Sequence, residues 1–211
     1  MWLARLLAPL VPPLCLACGG HAGRSEPLCL ACRGDLRWLD PALERLAGMA
    51  TWAPLAYEGP ARAVVRSLKY DGVRGAAAIM AAQVAANAPP RLLAGRTLVP
   101  VPPHPTRRRR RGFNQAELLA RALGARAGIE VADCLRRTGS RRPQVGRARE
   151  ERLGAIEGAI SPSPGVHAPK RPLLVDDVIT TGAMLGACAR ALREGGAFEV
   201  AAIAYARTPG R

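Results

Sequence analysis

Residues 173–185, LLVDDVITTGAML, constrain the chain more than any other stretch. Leu173, Leu174 and Val175 form the short apolar run typical of a strand buried on both faces. The run ends on two carboxylates, Asp176 and Asp177. Val178, Ile179, Thr180, Thr181 and Gly182 follow, and a helical pattern begins at Gly182. Adjacent carboxylates at a strand end can accept hydrogen bonds from two vicinal ribose hydroxyls. Threonine hydroxyls, a glycine that lets the backbone approach closely, and a helix N-terminus together cradle a phosphate. This order demands a strand–turn–helix unit and points to a phosphorylated ribose as ligand.

The flanking sequence supplies matching units. Strands are expected at 98–101, 134–137, 173–176 and 198–206, with helices at 113–127 and 182–194. A strand at 51–57 and helices at 60–68 and 75–87 precede them, with Pro89 and Pro90 as a linker. Leu36, Leu39, Leu43 and Leu46 have helical spacing and predict a helix over 35–48. Residues 102–112 and 138–149 read as loops. Strands alternating with helices imply parallel pairing in a three-layer α/β domain, whose ligands sit at the carboxyl ends of the strands. Aromatic residues make up only 4% of the chain, so Ala, Leu, Val and Ile must build the core.

Cys15, Cys18, Cys29 and Cys32 form two CxxC pairs, which offer four thiolates to a tetrahedral zinc. Two disulfides or incidental thiols are the alternatives. Four thiolates leave no open coordination position, so such a zinc would be structural. His21 lies beside the cluster and is not needed as a ligand. Cys134 and Cys188 stand alone and are expected in the core. An N-terminal unit over 1–50 and an α/β domain over 51–211 follow from this division. The first 14 residues carry one charge, Arg5, and are interrupted by Pro9, Pro12 and Pro13. They predict a short packed helix rather than a signal peptide or membrane span, and with that a cytoplasmic location.

The net charge is +15, and the only lysines are Lys69 and Lys170. An arginine-rich composition could account for the total but not for its distribution. Between Arg91 and Arg152 there are 16 arginines and five acids. Arg107, Arg108, Arg109, Arg110 and Arg111 are consecutive. Such a run is either a solvated basic face or a contact for phosphate or nucleic acid.

The segment DDVITTG after an apolar strand resembles the motif by which type I phosphoribosyltransferases bind phosphoribosyl pyrophosphate (PRPP). More of the chain resembles the ComF/GntX family. Val99-Pro100-Val101-Pro102, His104-Pro105 and Arg111-Gly112-Phe113-Asn114-Gln115-Ala116 carry that likeness. So do Tyr57-Glu58-Gly59, Lys69-Tyr70 with Gly72, Gln144 with Gly146, Arg149 and Arg152, and the paired cysteines.

The resemblance implies a type I phosphoribosyltransferase-like parallel sheet flanked by helices, with a small N-terminal zinc knuckle. It implies PRPP bound with magnesium by Asp176, Asp177 and residues 178–182. It further implies pyrophosphate contacts from Arg111 and from Arg147, Arg149 and Arg152 on a closing loop, and ligand contacts from Lys69 and Tyr70. Met184 stands where the family pattern usually has a phosphate-binding threonine. The family is linked to DNA uptake in natural transformation, so single-stranded DNA, gripped by Arg107 to Arg110, and other uptake proteins are implied partners. Three functions stay open: a phosphoribosyltransferase, a non-catalytic DNA-binding accessory protein, and a nucleotide-sensing regulator.

Overall fold

The computed structural model describes residues 14–23, 27–138 and 160–209. The expected helix within the first 14 residues, and Arg147, Arg149 and Arg152, lie outside the described residues.

Chain order is α1 (Leu30–Gly34), β1 (Glu44–Leu46), β2 (Met49–Trp52), β3 (Leu55–Ala56), α2 (Gly59–Tyr70), α3 (Ala76–Asn87), α4 (Pro90–Leu93) and β4 (Thr97–Pro100). There follow α5 (Pro105–Arg111), α6 (Gln115–Ala127), β5 (Leu135–Arg137), β6 (Ile160–Pro162), β7 (Pro172–Ile179), α7 (Ala183–Glu194) and β8 (Ala201–Arg207).

The main sheet runs β1-β2-β8-β7-β4, and β3 also pairs with β8. Every pairing is parallel except β1 with β2. β5 and β6 form a separate antiparallel pair.

The two central strands show why the sheet is covered on both faces. Leu173 and Val175 of β7, with Ala201, Ile203 and Tyr205 of β8, face one apolar cluster. Val64 and Leu68 of α2, Met80 of α3 and Leu119 and Leu123 of α6 complete it. Leu174, Ala202 and Ala204 face the opposite cluster, against Leu185, Cys188 and Leu192 of α7. Successive side chains point to opposite faces, so an unbroken apolar run is what a doubly covered strand requires. Cys134 and Cys188 are both buried, as expected.

Three local expectations are corrected. Residues 35–48 are not a helix: Trp38 bridges to Leu55, and β1 and β2 form a hairpin instead. Pro41 disfavours helical backbone at Asp40, and Ala47 and Gly48 both take positive φ, 50° and 73°, to close the turn. Residues 105–111 are a helix rather than a loop. His104 caps it by accepting from the Thr106 N–H, Pro105 starts it, and Gly112 ends it at φ 75°. The Pro89–Pro90 linker contains the short α4, which buries Leu92. Among the described residues no helix is long and apolar enough to cross a membrane.

Gly124 lies inside α6, where alanine would ordinarily stabilise the helix. Here a Cβ would stand 2.5 Å from the Ile129 carbonyl oxygen and 2.9 Å from Val131 Cγ2. Gly124→Ala is therefore expected to destabilise the fold by about 1–3 kcal/mol, measured as a lowered urea midpoint. An unchanged or raised midpoint would contradict this packing.

Candidate functional site

β4 pairs with β7 only as far as Pro100 opposite Val175. Val101 N–H still donates to the Val175 carbonyl, at 3.0 Å, and the chain then leaves the sheet through Pro102 and Pro103. β7 continues alone on that side to Ile179. The edge it exposes begins at Asp176. Asp176 and Asp177 thus sit inside the strand, beside an opening made by the departure of β4. Tyr57, Lys69, Pro103, His104, Arg107 and Arg137 surround the resulting cleft, which holds about 290 Å³ of water-reachable space.

The two carboxylates differ. The Asp177 side chain is only 4% exposed. Its Oδ2 is 2.8 Å from Lys69 Nζ, itself 17% exposed. The strand's alternation turns Asp177 toward the α2 side, where the last turn of α2 brings Lys69 to meet it. Asp176 is half-buried, and its Oδ1 accepts from the Asp177 backbone N–H at 2.8 Å. Desolvation, reinforced by the charge of Asp177 and partly offset by Lys69, pushes the Asp176 carboxyl up to about 8. The raised value brings a proton within reach near neutral pH, so this group can donate as well as accept a hydrogen bond.

Thr180 and Thr181 are exposed after β7, and Gly182 takes φ 73° at the start of α7. A Cβ on Gly182 would lie 2.5 Å from Leu46 Cδ2, so the β1–β2 hairpin rests directly on this glycine. Thr181 Oγ1 accepts weakly from the Ala183 N–H, at 3.5 Å. Met184, the second residue of α7, lines the acidic cleft.

Helical geometry divides the arginine run. Arg107 lines the acidic cleft. Arg107, Arg110 and Arg111 fall on one face by their i, i+3, i+4 spacing, and they line a neighbouring cleft with Lys69, Tyr70, Thr106 and Gln115. Arg108 and Arg109 line neither. Arg111, the expected pyrophosphate contact, lies over Tyr70, with its guanidinium carbon 5.2 Å from the ring centre. It also donates to Gln115 Oε1 at 3.1 Å. Arg66 lies 5.6 Å from the same ring.

Sequence reasoning missed Arg137. It enters the acidic cleft from β5, and its Nε is buried without a hydrogen-bond partner. Burial, then the charge of Arg107, lowers its proton affinity. Nothing in the local sequence marks it, because a separate two-stranded sheet delivers it. Asn114 plays a supporting part: buried, it caps α6 by accepting from Ala116 N–H and donates to the Val101 carbonyl at the cleft floor.

The four cysteines converge. Their sulfurs lie within 4.8 Å of one another, with Cys18 and Cys29 at 3.7 Å. Gly19 N–H donates to the Cys15 carbonyl and Gly20 N–H to the Cys18 sulfur, forming a tight knuckle turn. All four are free thiols, and four sulfurs in this arrangement suit a tetrahedral zinc. Cys15 and Cys32 are buried, and Cys15 falls to about 6, since backbone N–H groups and Cys18 outweigh its desolvation.

No family model matches the chain. Two curated relatives are similar to about half of it. Competence protein ComFC of Streptococcus pneumoniae is 38% identical over 109 residues, which is 52% of this chain and 47% of that protein. Competence protein F of Haemophilus influenzae is 34% identical over 113 residues, 52% of this chain and 49% of that protein. The chain thus spans about half the length of the curated relatives it matches. Among solved structures, glutamine PRPP amidotransferase of B. subtilis is 22% identical, with a TM-score of 0.43 over 62% of this chain and 26% of that one. Adenine phosphoribosyltransferase of Thermoanaerobacter pseudethanolicus is 16% identical, with a TM-score of 0.37 over 82% and 84%.

Two measurements follow from this geometry. Purified protein is expected to carry close to one zinc per chain by elemental analysis, and Cys32→Ser to lose it; a metal-free, stable wild type would contradict the cysteine geometry. The second concerns Asp176, whose folded carboxyl holds its proton above the ordinary range. The folded state then binds more protons than the unfolded one between about pH 4 and 8, so this residue's contribution to stability falls as pH rises through that window. Asp176→Asn should therefore gain in urea midpoint relative to wild type as pH goes from 5 to 8. A difference that does not vary with pH would contradict the buried carboxyl.

Proposed function

We propose that the chain is a member of the ComF family, whose curated relatives are similar to about half of it, and that it binds PRPP and transfers its phosphoribosyl group to an acceptor. The observation that carries this reading is the placement of Asp176 and Asp177 on an open strand edge, three residues before the Thr180–Gly182 turn and the start of α7. Sugar hydroxyls and a 5′-phosphate need these two features at that separation.

In this reading Asp176 and Asp177 take the ribose hydroxyls, with Lys69 holding Asp177 in position. Thr180, Thr181 and the backbone N–H groups at Gly182 take the 5′-phosphate. Val178 and Ile179 set the distance between the two groups. Met184 offers that phosphate no hydroxyl, so the turn itself must supply the contacts. Arg107 and Arg137 face the pyrophosphate. The bond from C1′ to the pyrophosphate oxygen breaks, and its electron pair leaves with pyrophosphate. The acceptor's lone pair forms the new bond to C1′, and its proton passes to solvent. Preorganised guanidiniums that meet the developing negative charge are the main contribution such a site makes. The paired carboxylates are hard oxygen donors that fit magnesium arriving with the substrate, and that ion would supply charge neutralisation.

We place this activity in natural transformation, in keeping with the names of the two relatives. A second reading, in which the protein binds nucleic acid without turnover, is favoured by Arg108 and Arg109, which are exposed on α5 and line neither cleft. Arg107 to Arg110 would then grip phosphates in a salt-dependent manner. A nucleotide-sensing role would use the acidic cleft alone.

Calorimetry with magnesium and PRPP tests the binding step. Wild type is expected to bind. Asp176→Asn/Asp177→Asn is expected to lose at least about 10-fold in affinity, because the charge-assisted hydrogen bond of the Asp177 carboxylate alone is worth about 1.5–3 kcal/mol. Pyrophosphate release with a panel of acceptors tests turnover. Unchanged PRPP affinity in the double variant would reject the assignment, and binding without release under any acceptor would favour the sensing role.

A further inference from the structure

Beside the acidic cleft lies a second one, between the C-terminal turn of α2 and the inner face of α5, with about 360 Å³ of water-reachable space. Its charged lining is entirely cationic: Lys69, Arg107, Arg110 and Arg111. Lys69 is committed to Asp177. Among the described residues the three arginines form no ion pair with a carboxylate. Like charges at i, i+3 and i, i+4 on a helix repel by about 0.2–0.5 kcal/mol per pair, so an anion placed among them relieves a cost the fold already carries.

Arg111 is fixed in advance. Its guanidinium lies on the Tyr70 ring and donates to Gln115, while its Nε is buried with no hydrogen-bond partner. Tyr70, 56% exposed, forms one wall. A planar donor held this way is suited to bidentate phosphate recognition.

The acidic cleft has guanidiniums of its own, Arg107 and Arg137, so the pyrophosphate of a ligand there is neutralised without Arg110 or Arg111. Lys69, Arg107 and Gln115 line both clefts and form the ridge between them. We propose that this side cleft binds the phosphate of a second ligand while the acidic cleft is occupied, so that the acceptor is a phosphate ester rather than a free base or amine. The acceptor assignment rests on the transferase reading given above. The anion site rests on its own lining. Arg110 and Arg111 are its cationic contacts, and Tyr70 is a positioning residue that holds Arg111.

The test is calorimetric, on the full chain, with tripolyphosphate as probe. It is titrated once into free protein without magnesium and once into protein saturated with magnesium and PRPP. Binding is expected in both, with one probe per chain in the saturated protein. Arg110→Gln/Arg111→Gln should weaken the probe at least about 10-fold, as loss of charge-assisted bonds requires, and leave PRPP affinity within about twofold. Arg110→Gln alone, at an exposed position, should weaken it by a smaller factor, so a folding defect in the double variant does not decide the matter. Asp176→Asn, which leaves the Lys69–Asp177 pair intact, should weaken PRPP and keep the probe.

Complete displacement of tripolyphosphate by PRPP would overturn the proposal, because the side cleft would then be the pyrophosphate end of one site. Loss of the probe in the aspartate variant would overturn it as well. If wild type binds no PRPP but holds the probe in an Arg110- and Arg111-dependent way, the transferase reading fails and the anion site stands. Competition by adenosine monophosphate identifies a free nucleotide as ligand. Competition by a 5′-phosphorylated single strand where the nucleotide fails identifies a strand end. Failure of both would overturn the acceptor assignment.

Discussion

The ion pair between Lys69 and Asp177 fixes the geometry on which both clefts depend. Both partners are withdrawn from water, so each would be costly alone, and removal of one charge from such a pair costs about 3–5 kcal/mol. The bond is tolerated because it does a positional task. It ties the end of α2 to the open edge of β7 and places Tyr70, the next residue, against α5. Asp177 can turn inward only because Lys69 meets it there. Asp176, next along the strand and on the opposite side, is left facing the cleft with a proton held by burial.

The arginine helix solves a related problem of charge. Five consecutive guanidiniums repel one another, most closely at i, i+3 and i, i+4. In α5 the helical rise spreads them round the axis, and the run ends at the helix C-terminus, where the dipole favours cations. Arg111 gains the Tyr70 ring and Gln115. Arg108 and Arg109 go to solvent. What looks like one basic patch in the sequence is therefore three environments, and charge density alone does not describe it.

The cysteine knuckle is joined to the core rather than appended to it. Cys15, Leu28, Cys32 and Leu36 belong to the same apolar cluster as Trp52, Leu55 and Val64. The hairpin that follows lays Leu46 over Gly182, and Arg207 at the end of β8 forms an ion pair with Glu44. The N-terminal region thereby bears on the turn at Gly182 through packing.

Legibility in the sequence followed the range of the interaction. Leu173 to Val175 as a buried strand, the turn at Gly182, the helices α2, α3, α6 and α7, and the cysteine spacing all rest on contacts within a few residues, and the sequence carries them in full. The leucines of residues 36–46 misled because four apolar side chains at helical spacing also serve a bridge, a hairpin and a lid, and only the partners at Leu55, Gly182 and β8 choose among these. His104, Pro105 and Gly112 did signal a helix, but the arginines between them drew attention to charge instead. Arg137 could not be found at all, since its place in the cleft depends on the β5–β6 pairing. The sequence by itself determined the strand–turn–helix unit, the four-thiol set and the acidic pair, because each is a local pattern. Only the tertiary structure decided that Asp177 is buried against Lys69, that Arg107 lines both clefts while Arg111 lines one, and that Arg137 joins Asp176, because each depends on elements brought together from distant parts of the chain.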